Sequence, residues 1–256
     1  MEMKLITWNV LNGREEAGKD WSNWAGRKKV FKTILEREKP DVFCAQEALV
    51  GQLKHFDEVL KDHQRVGVGR SDGKEDGEFC AIYFDAKRFK KLDDGTFWLS
   101  DTPENPGGKR FDPQYERICT WVKLQDVKTE KVFFVFNNHF PLTADGREKA
   151  AALVVEKAAA IAEKSPAILC GDFNCGPDSK PWKIFEDAKW AHTAIEAKRK
   201  RDQITFHKFG LRLAVLDAVF TKSFSCSEDR VMEDSEDKVL PSDHYGIAVR
   251  LRLKTE

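Results

Sequence analysis

The segment Pro166-Ala-Ile-Leu-Cys-Gly-Asp-Phe-Asn-Cys-Gly-Pro-Asp-Ser179 constrains the fold more than any other stretch of the chain. Ala167 to Cys170 is an unbroken apolar run, which predicts a short buried strand that stops at Gly171. Asp172 and Asn174 follow, on a segment broken by Gly176 and Pro177. In an α/β sheet ligands collect where strands end, because loops there present groups that a strand would bury. Alternate residues of an extended segment share a direction, so Asp172 and Asn174 can converge on one small target. The plain structural alternative is an Asx-rich turn that caps the next helix. It accounts for Asp178 and Ser179, but not for a carboxylate and an amide together at a strand exit.

Toward the N-terminus the pattern alternates strand and helix. Lys4 to Val10 reads as an opening strand and Arg14 to Asn23 as a polar loop. Arg27 to Glu38 places Val30, Phe31, Ile34 and Leu35 on one helical stripe before Pro40. Asp41 to Ala45 is a second strand with Gln46-Glu47 at its exit, and Leu49, Leu53, Phe56 and Leu60 mark another amphipathic helix. Strand-like runs then follow at Phe79 to Phe84, Thr96 to Leu99, Ile118 to Leu124 and Val132 to Asn138. Asp101 to Pro113, rich in Pro and Gly, reads as a long surface loop. An alanine-rich helix from Ala144 to Lys164 leads into the central strand, and a further helix lies near Pro181 to Ala188. Strands close the chain at Leu216 to Phe220 and Gly246 to Leu253, separated by an acidic stretch, Glu228 to Asp237, that reads as a solvated loop. No linker divides the 256 residues, so one domain of two related halves is expected over 1–256.

Lys plus Arg balances Asp plus Glu at 43 each, which disfavours a protein holding long duplex DNA but leaves room for a local groove. The high charged fraction, 34%, indicates a globular chain with no membrane span. The N-terminus carries no apolar signal-peptide core. Six cysteines without a C-x-x-C pair point to a reducing, cytoplasmic setting. Cys170 and Cys175 flank the central loop, but no second Cys/His pair at zinc spacing accompanies them. Nothing indicates an obligate protein partner.

Acid, amide and imidazole groups recur at the ends of apolar strands: Asn9, Glu47, His139, Asp172 with Asn174, Asp217, and Asp243-His244. If the strands align, these exits share one edge. Carboxylate and amide oxygens are hard ligands suited to Mg²⁺, with Mn²⁺ a possible substitute. Histidines beside such a cation donate to phosphoryl oxygens, and an aspartate orients or deprotonates a water. The residues themselves therefore point to metal-assisted hydrolysis of a phosphate ester.

Thr-Trp-Asn9-Val, Gln46-Glu47, Asn137-Asn-His139, Gly171-Asp-Phe-Asn174, Leu216-Asp217-Ala-Val-Phe and Ser242-Asp243-His244 also resemble, in order, the motifs of the endonuclease/exonuclease/phosphatase superfamily, and especially its small bacterial members. The resemblance implies an α/β fold: a four-layer αββα sandwich of two packed mixed β-sheets flanked by helices. It implies that Glu47, helped by Asn9 and Asp243, holds the divalent ion. Asp172 would activate the attacking water and Asn174 would steady it. His244, positioned by Asp217, would stabilise the pentacovalent state. His139 would contact the phosphate with Glu78 supporting it, and Arg117 and His207 would approach the substrate. Pro141-Leu142 and Ala218 depart from the common pattern near the substrate, which bears on specificity more than on chemistry.

Each residue has a plainer reading: Asn9 as a turn former, Glu47 as a helix N-terminal acid, Asp217 as a turn cap, and His139, His207 and Arg117 as structural residues. Lys198 to Arg201 is a solvated face or a phosphate contact, and an exposed Trp24 or Trp182 would stack on a base. The expected activity is Mg²⁺-dependent phosphodiester hydrolysis, acting on nucleic acid or a small phosphorylated metabolite. A phosphomonoesterase of sugar, lipid or inositol phosphates, and a catalytically silent binding protein, are the alternatives.

Overall fold

The computed structural model describes residues 1–13, 23–108 and 110–254. The polar stretch expected as a loop from Arg14 lies outside them, except for Asn23. There the first helix begins, because the Asn23 side chain accepts a hydrogen bond from the Gly26 amide. The first half of the chain forms β1 (Glu2–Asn9), α1 (Trp24–Glu38), β2 (Val42–Ala48), α2 (Val50–Val59), β3 (His63–Val66) and β4 (Phe79–Asp85). The middle forms β5 (Phe89–Trp98), β6 (Ile118–Asp126), β7 (Val132–His139), α3 (Ala144–Ala162) and β8 (Ala167–Asp172). The last part forms α4 (Lys180–Asp187), β9 (Ala191–His192), α5 (Thr193–Glu196), β10 (Asp217–Lys222), β11 (Phe224–Met232) and β12 (Gly246–Leu253).

The strands make two six-stranded sheets, in the orders β11-β12-β1-β2-β4-β3 and β5-β6-β7-β8-β10-β9. Each has one parallel pair, β1 with β2 and β7 with β8, and antiparallel neighbours outside it. A helix must carry the chain back across each parallel pair, and α1 and α3 do so. The two sheets thus repeat one plan.

Three apolar layers explain the packing. Leu5, Cys44, Ile82, Val122, Val135, Ile168, Val219 and Val249 come from both sheets and form the interior of the sandwich. Phe31, Ile34, Leu35 and Phe56 of α1 and α2 pack over Ile6, Phe43 and Tyr83. Ala150, Val154, Ala158, Trp182 and Phe185 of α3 and α4 cover Phe134, Phe136, Leu169 and Phe220. Central strands are buried on both faces, which is why they read as continuous apolar runs in the sequence. Trp182 is fully buried here, so it presents no face to a base. No helix among the described residues is long and apolar enough to cross a membrane.

Two readings are corrected. The acidic segment from Glu228 is not a loop at its start: β11 runs to Met232 and pairs with β12 along an outer edge. Its charges lie on a sheet edge, where they block further strand pairing. The central strand also continues past Gly171 to Asp172. Gly171 adopts φ +131°, and a Cβ there would lie 2.1 Å from the Asn138 carbonyl oxygen, so only glycine lets β8 approach β7 this closely.

Candidate active site

Strand pairing sets the site. Asn9 pairs with Gln46, His139 with Asp172, and Asp172 with Asp217, so their side chains gather at one edge of the sandwich. The sheets are also tied across their interface, where the Gln46 side chain donates to Asn137 Oδ1 at 2.7 Å. Strand β2 loses register between Ala45 and Ala48, and Glu47 takes a left-handed φ of +63°. Such a bulge re-aims a side chain, and here it turns Glu47 into a cleft of about 550 Å³.

Asn9 is the link between the sheets' acids. Its amide donates to Glu47 Oε1 at 2.9 Å and to Asp172 Oδ2 at 3.0 Å. Two groups outside the expected set hold the surrounding loops. The Ser242 hydroxyl donates to the Asn9 carbonyl at 2.6 Å and accepts from the His244 amide at 3.2 Å. Buried Arg27 donates to the carbonyls of Val10 and Pro241 at 2.7 and 3.0 Å. Arg27 sits on α1, remote in sequence from every motif, and its only signal is a basic residue preceding an apolar helical stripe.

His244 lies between two aspartates, with Nδ1 2.8 Å from Asp217 Oδ2 and Nε2 3.8 Å from Asp172 Oδ2. Burial opposes its charge, but Asp217 and then Asp172 outweigh burial and push its pKa up to about 10. Burial, then the Asp217 charge, push the Asp172 carboxyl up to about 7 against the opposing pull of His244, the Asn174 amide and Asn9. Flanked by the two carboxylates, His244 is favoured in its charged, imidazolium form. Asp172 Oδ1 accepts from the Asn174 amide at 2.8 Å, while the Asn174 side chain donates to the Phe140 carbonyl at 2.9 Å. The Asx turn and the converging pair are thus one structure.

His139 is the neutral counterpart. Burial, then the charges of Arg117 and Arg70, hold its pKa well below the usual 6.5. Arg117 donates to its Nε2 at 2.8 Å, and Nε2 lies 3.5 Å from Asp172 Oδ2. Glu78 pairs with Arg70 and accepts from Asn12 at 3.3 Å, while Arg117 makes the contact at His139 Nε2. Arg70 was not expected. It lies on the loop before β4, beside the Asp72-Gly73 turn, and its guanidinium stands 5.3 Å from the Tyr115 ring centre, as Arg117 does at 5.4 Å.

His207 departs from expectation. It is buried, with Nδ1 accepting from the Phe209 amide and its ring 4.2 Å from that of Tyr245. Phe206 forms the cleft wall instead, its ring centre 4.7 Å from that of His244. In the basic run, Arg199 pairs with Asp229 and Arg201 with Glu186. Trp24 packs against Phe31 and Phe56.

Two groups of donors invite a cation. Ligand atoms of Asp172, Asp217 and His244 lie within 4.8 Å of one another, but the Asp217–His244 hydrogen bond already occupies that group. Glu47 and Asp243 both line the cleft. Burial and, against the pull of His244, the Glu47 charge push the Asp243 carboxyl up, a repulsion that a cation between them relieves. Their oxygens suit a hard divalent ion.

The geometry agrees with the comparisons. The crystal structure of the endonuclease/exonuclease/phosphatase from Bacteroides vulgatus is 26% identical, has a TM-score of 0.92, and the match covers 99% of this chain and 100% of that one. A Bacteroides thetaiotaomicron protein described as a mannosyl-6-phosphatase is 27% identical with a TM-score of 0.90, over 98% of this chain and 100% of that one. An uncharacterized protein of Acanthamoeba polyphaga mimivirus is 26% identical over 190 residues, 67% of each chain. The sequence model described as the endonuclease/exonuclease/phosphatase family matches residues 6–244, the whole span from the opening strand to His244, and this chain belongs to that family.

Proposed function

We propose that the chain is a divalent-metal-dependent phosphoesterase whose substrate is a phosphomonoester of a small metabolite. The observation that carries the reading is the bridge made by Asn9, which joins Glu47 to Asp172 beside the Asp217–His244 pair. Glu47, Asn9 and Asp243 would hold Mg²⁺ or Mn²⁺. When bound, the ion supplies charge stabilisation at the phosphoryl oxygens. Asp172, with its pKa raised to about 7, accepts the proton of the attacking water at neutral pH. Asn174 steadies that water. The His244 imidazolium, held by Asp217, donates to a phosphoryl oxygen as negative charge builds. Arg117 brings positive charge to the phosphate, with neutral His139 fixing its guanidinium.

Two facts favour a monoester over the diester expected from sequence. The cleft holds buried Arg117, hydrogen-bonded to neutral His139, a setting for the doubly charged terminal phosphate of a monoester. The basic run that would track a nucleic-acid backbone spends Arg199 and Arg201 on internal ion pairs. Similarity to the protein described as a mannosyl-6-phosphatase supports the same class. Phosphodiester cleavage is the second reading, because Phe206 beside His244 offers a ring on which a base would stack. The six cysteines are buried free thiols, which supports the reducing, cytoplasmic setting.

The test is hydrolysis of p-nitrophenyl phosphate, bis-p-nitrophenyl phosphate and single-stranded DNA, each with Mg²⁺ and with EDTA. EDTA-sensitive turnover of the monoester above the diesters is expected. Preferential diester cleavage would establish the second reading. A folded protein that turns over none of them and binds no Mg²⁺ would be a binding protein.

A further inference from the structure

Four arginines line the cleft, and they fall into two pairs with different circumstances. Arg70 and Arg117 are buried and matched: Arg70 against Glu78, Arg117 against His139 and, at 3.7 Å, Asp112. Arg147 and Arg212 stand nearer the mouth. Arg147 donates to the Leu142 carbonyl at 2.5 Å, and Arg212 is exposed. Among the described residues neither forms an ion pair. They come from separate segments, the first turn of α3 and the stretch before β10, yet face the same cleft.

A guanidinium on a cleft wall without a carboxylate partner recognises phosphate or carboxylate through its planar fork. The scissile phosphate would not need this second pair, since on the reading above His244 and Arg117 would meet it, with Glu47, Asn9 and Asp243 holding a cation beside it. We infer that Arg147 and Arg212 form a second anion subsite, so that the substrate is a small phosphate ester carrying another phosphate or a carboxylate. This rests on the phosphomonoesterase reading above and names its substrate class. Tyr115 and Leu142, 41% and 47% exposed, line the cleft with them and offer an apolar surface for the carbon frame between the two anions.

The test measures kcat/KM, at saturating free Mg²⁺, for a hexose 6-phosphate, a hexose 1,6-bisphosphate, 3-phosphoglycerate and p-nitrophenyl phosphate. The wild type should prefer an ester carrying a second anionic group to the hexose 6-phosphate, which carries only its phosphate, by about tenfold or more. Bisphosphate and phosphoglycerate show whether the second anion is a phosphate or a carboxylate. In an Arg147→Ala/Arg212→Ala double variant that preference should fall by about tenfold, mainly through KM. Arg147→Lys/Arg212→Lys, which keeps the charge without the fork, should retain part of it. Equal treatment by the wild type of esters with one and with two anionic groups, or an unchanged preference in the alanine variant, would overturn the subsite while leaving the phosphoesterase reading intact. No Mg²⁺-dependent turnover of any ester, p-nitrophenyl phosphate included, would overturn both.

Discussion

His244 Nδ1 stands 2.8 Å from Asp217 Oδ2, and that hydrogen bond fixes both the orientation and the charge of the imidazole. Asp217 begins β10 and His244 lies just ahead of β12, so the pair joins the two sheets at the edge where the other acids converge. Asp217→Asn keeps the shape and removes the charge. We expect kcat to fall about a hundredfold or more, the scale seen when preorganised charge stabilisation is lost. The melting temperature should move little. Comparing kcat and melting temperature of the two proteins checks this, and an active Asp217→Asn protein would assign Asp217 a purely structural role.

Glu47 and Asp243 share the cleft, and the Glu47 charge adds to burial in raising the Asp243 carboxyl. Glu47→Gln removes one charge from the proposed ion site while keeping an acceptor for Asn9. Calorimetric titration should show Mg²⁺ affinity weakened at least about tenfold, consistent with loss of a ligand charge. Unchanged affinity would move the ion to the Asp172, Asp217 and His244 group.

Gly171→Ala tests the backbone that presents Asp172. Its φ of +131° excludes a side chain in an unstrained state, and the added Cβ meets the Asn138 carbonyl at 2.1 Å. We expect a loss of about 2 kcal/mol or more in stability, measured by urea unfolding. Activity at a temperature where the variant is folded should fall as well, because β8 must shift away from β7 and carry Asp172 with it.

His192 is buried against Trp182 and Phe220, with ring centres 4.8 and 5.1 Å away, and both of its nitrogens lack a hydrogen-bond partner among the described residues. Burial, then the charges of Arg199 and Arg201, lower its pKa from 6.5 to about 3. The unfolded chain therefore binds a proton that the folded chain refuses, and stability falls as pH drops from about 6.5 towards 3. His192→Phe should flatten that part of the stability profile, measured by thermal melts across this range. An identical acid slope in the variant would place the acid sensitivity elsewhere.

Much of this site was legible because strand exits are marked twice, by an apolar run and by the polar residue that ends it. Asn9, Glu47, His139 and Asp172 carry that mark, and antiparallel pairing brings Asp217, at the entry of β10, to the same edge. The bulge at Glu47 and the passage of β8 through Gly171 carry no such mark, since both depend on the neighbouring strand. Strand β11 was hidden because the charges of Glu228, Asp229 and Arg230 interrupt its apolar alternation at an edge. Strand β3 offers only Val66 as a buried residue, too little for a periodicity to register. Arg27 and Arg70 were hidden for another reason: each serves the site from a segment whose local pattern describes only a helix or a turn. His207 shows the opposite error, in which a motif residue turned inward while its neighbour Phe206 took the wall.

The most direct measurement is the rate of p-nitrophenyl phosphate hydrolysis by the wild type and by Asp172→Asn, each with Mg²⁺ and with EDTA. Turnover is expected only for the wild type with Mg²⁺, with a drop of about a hundredfold or more in Asp172→Asn at nearly unchanged melting temperature. Metal-independent hydrolysis, or an Asp172→Asn protein as active as the wild type, would contradict the proposed mechanism.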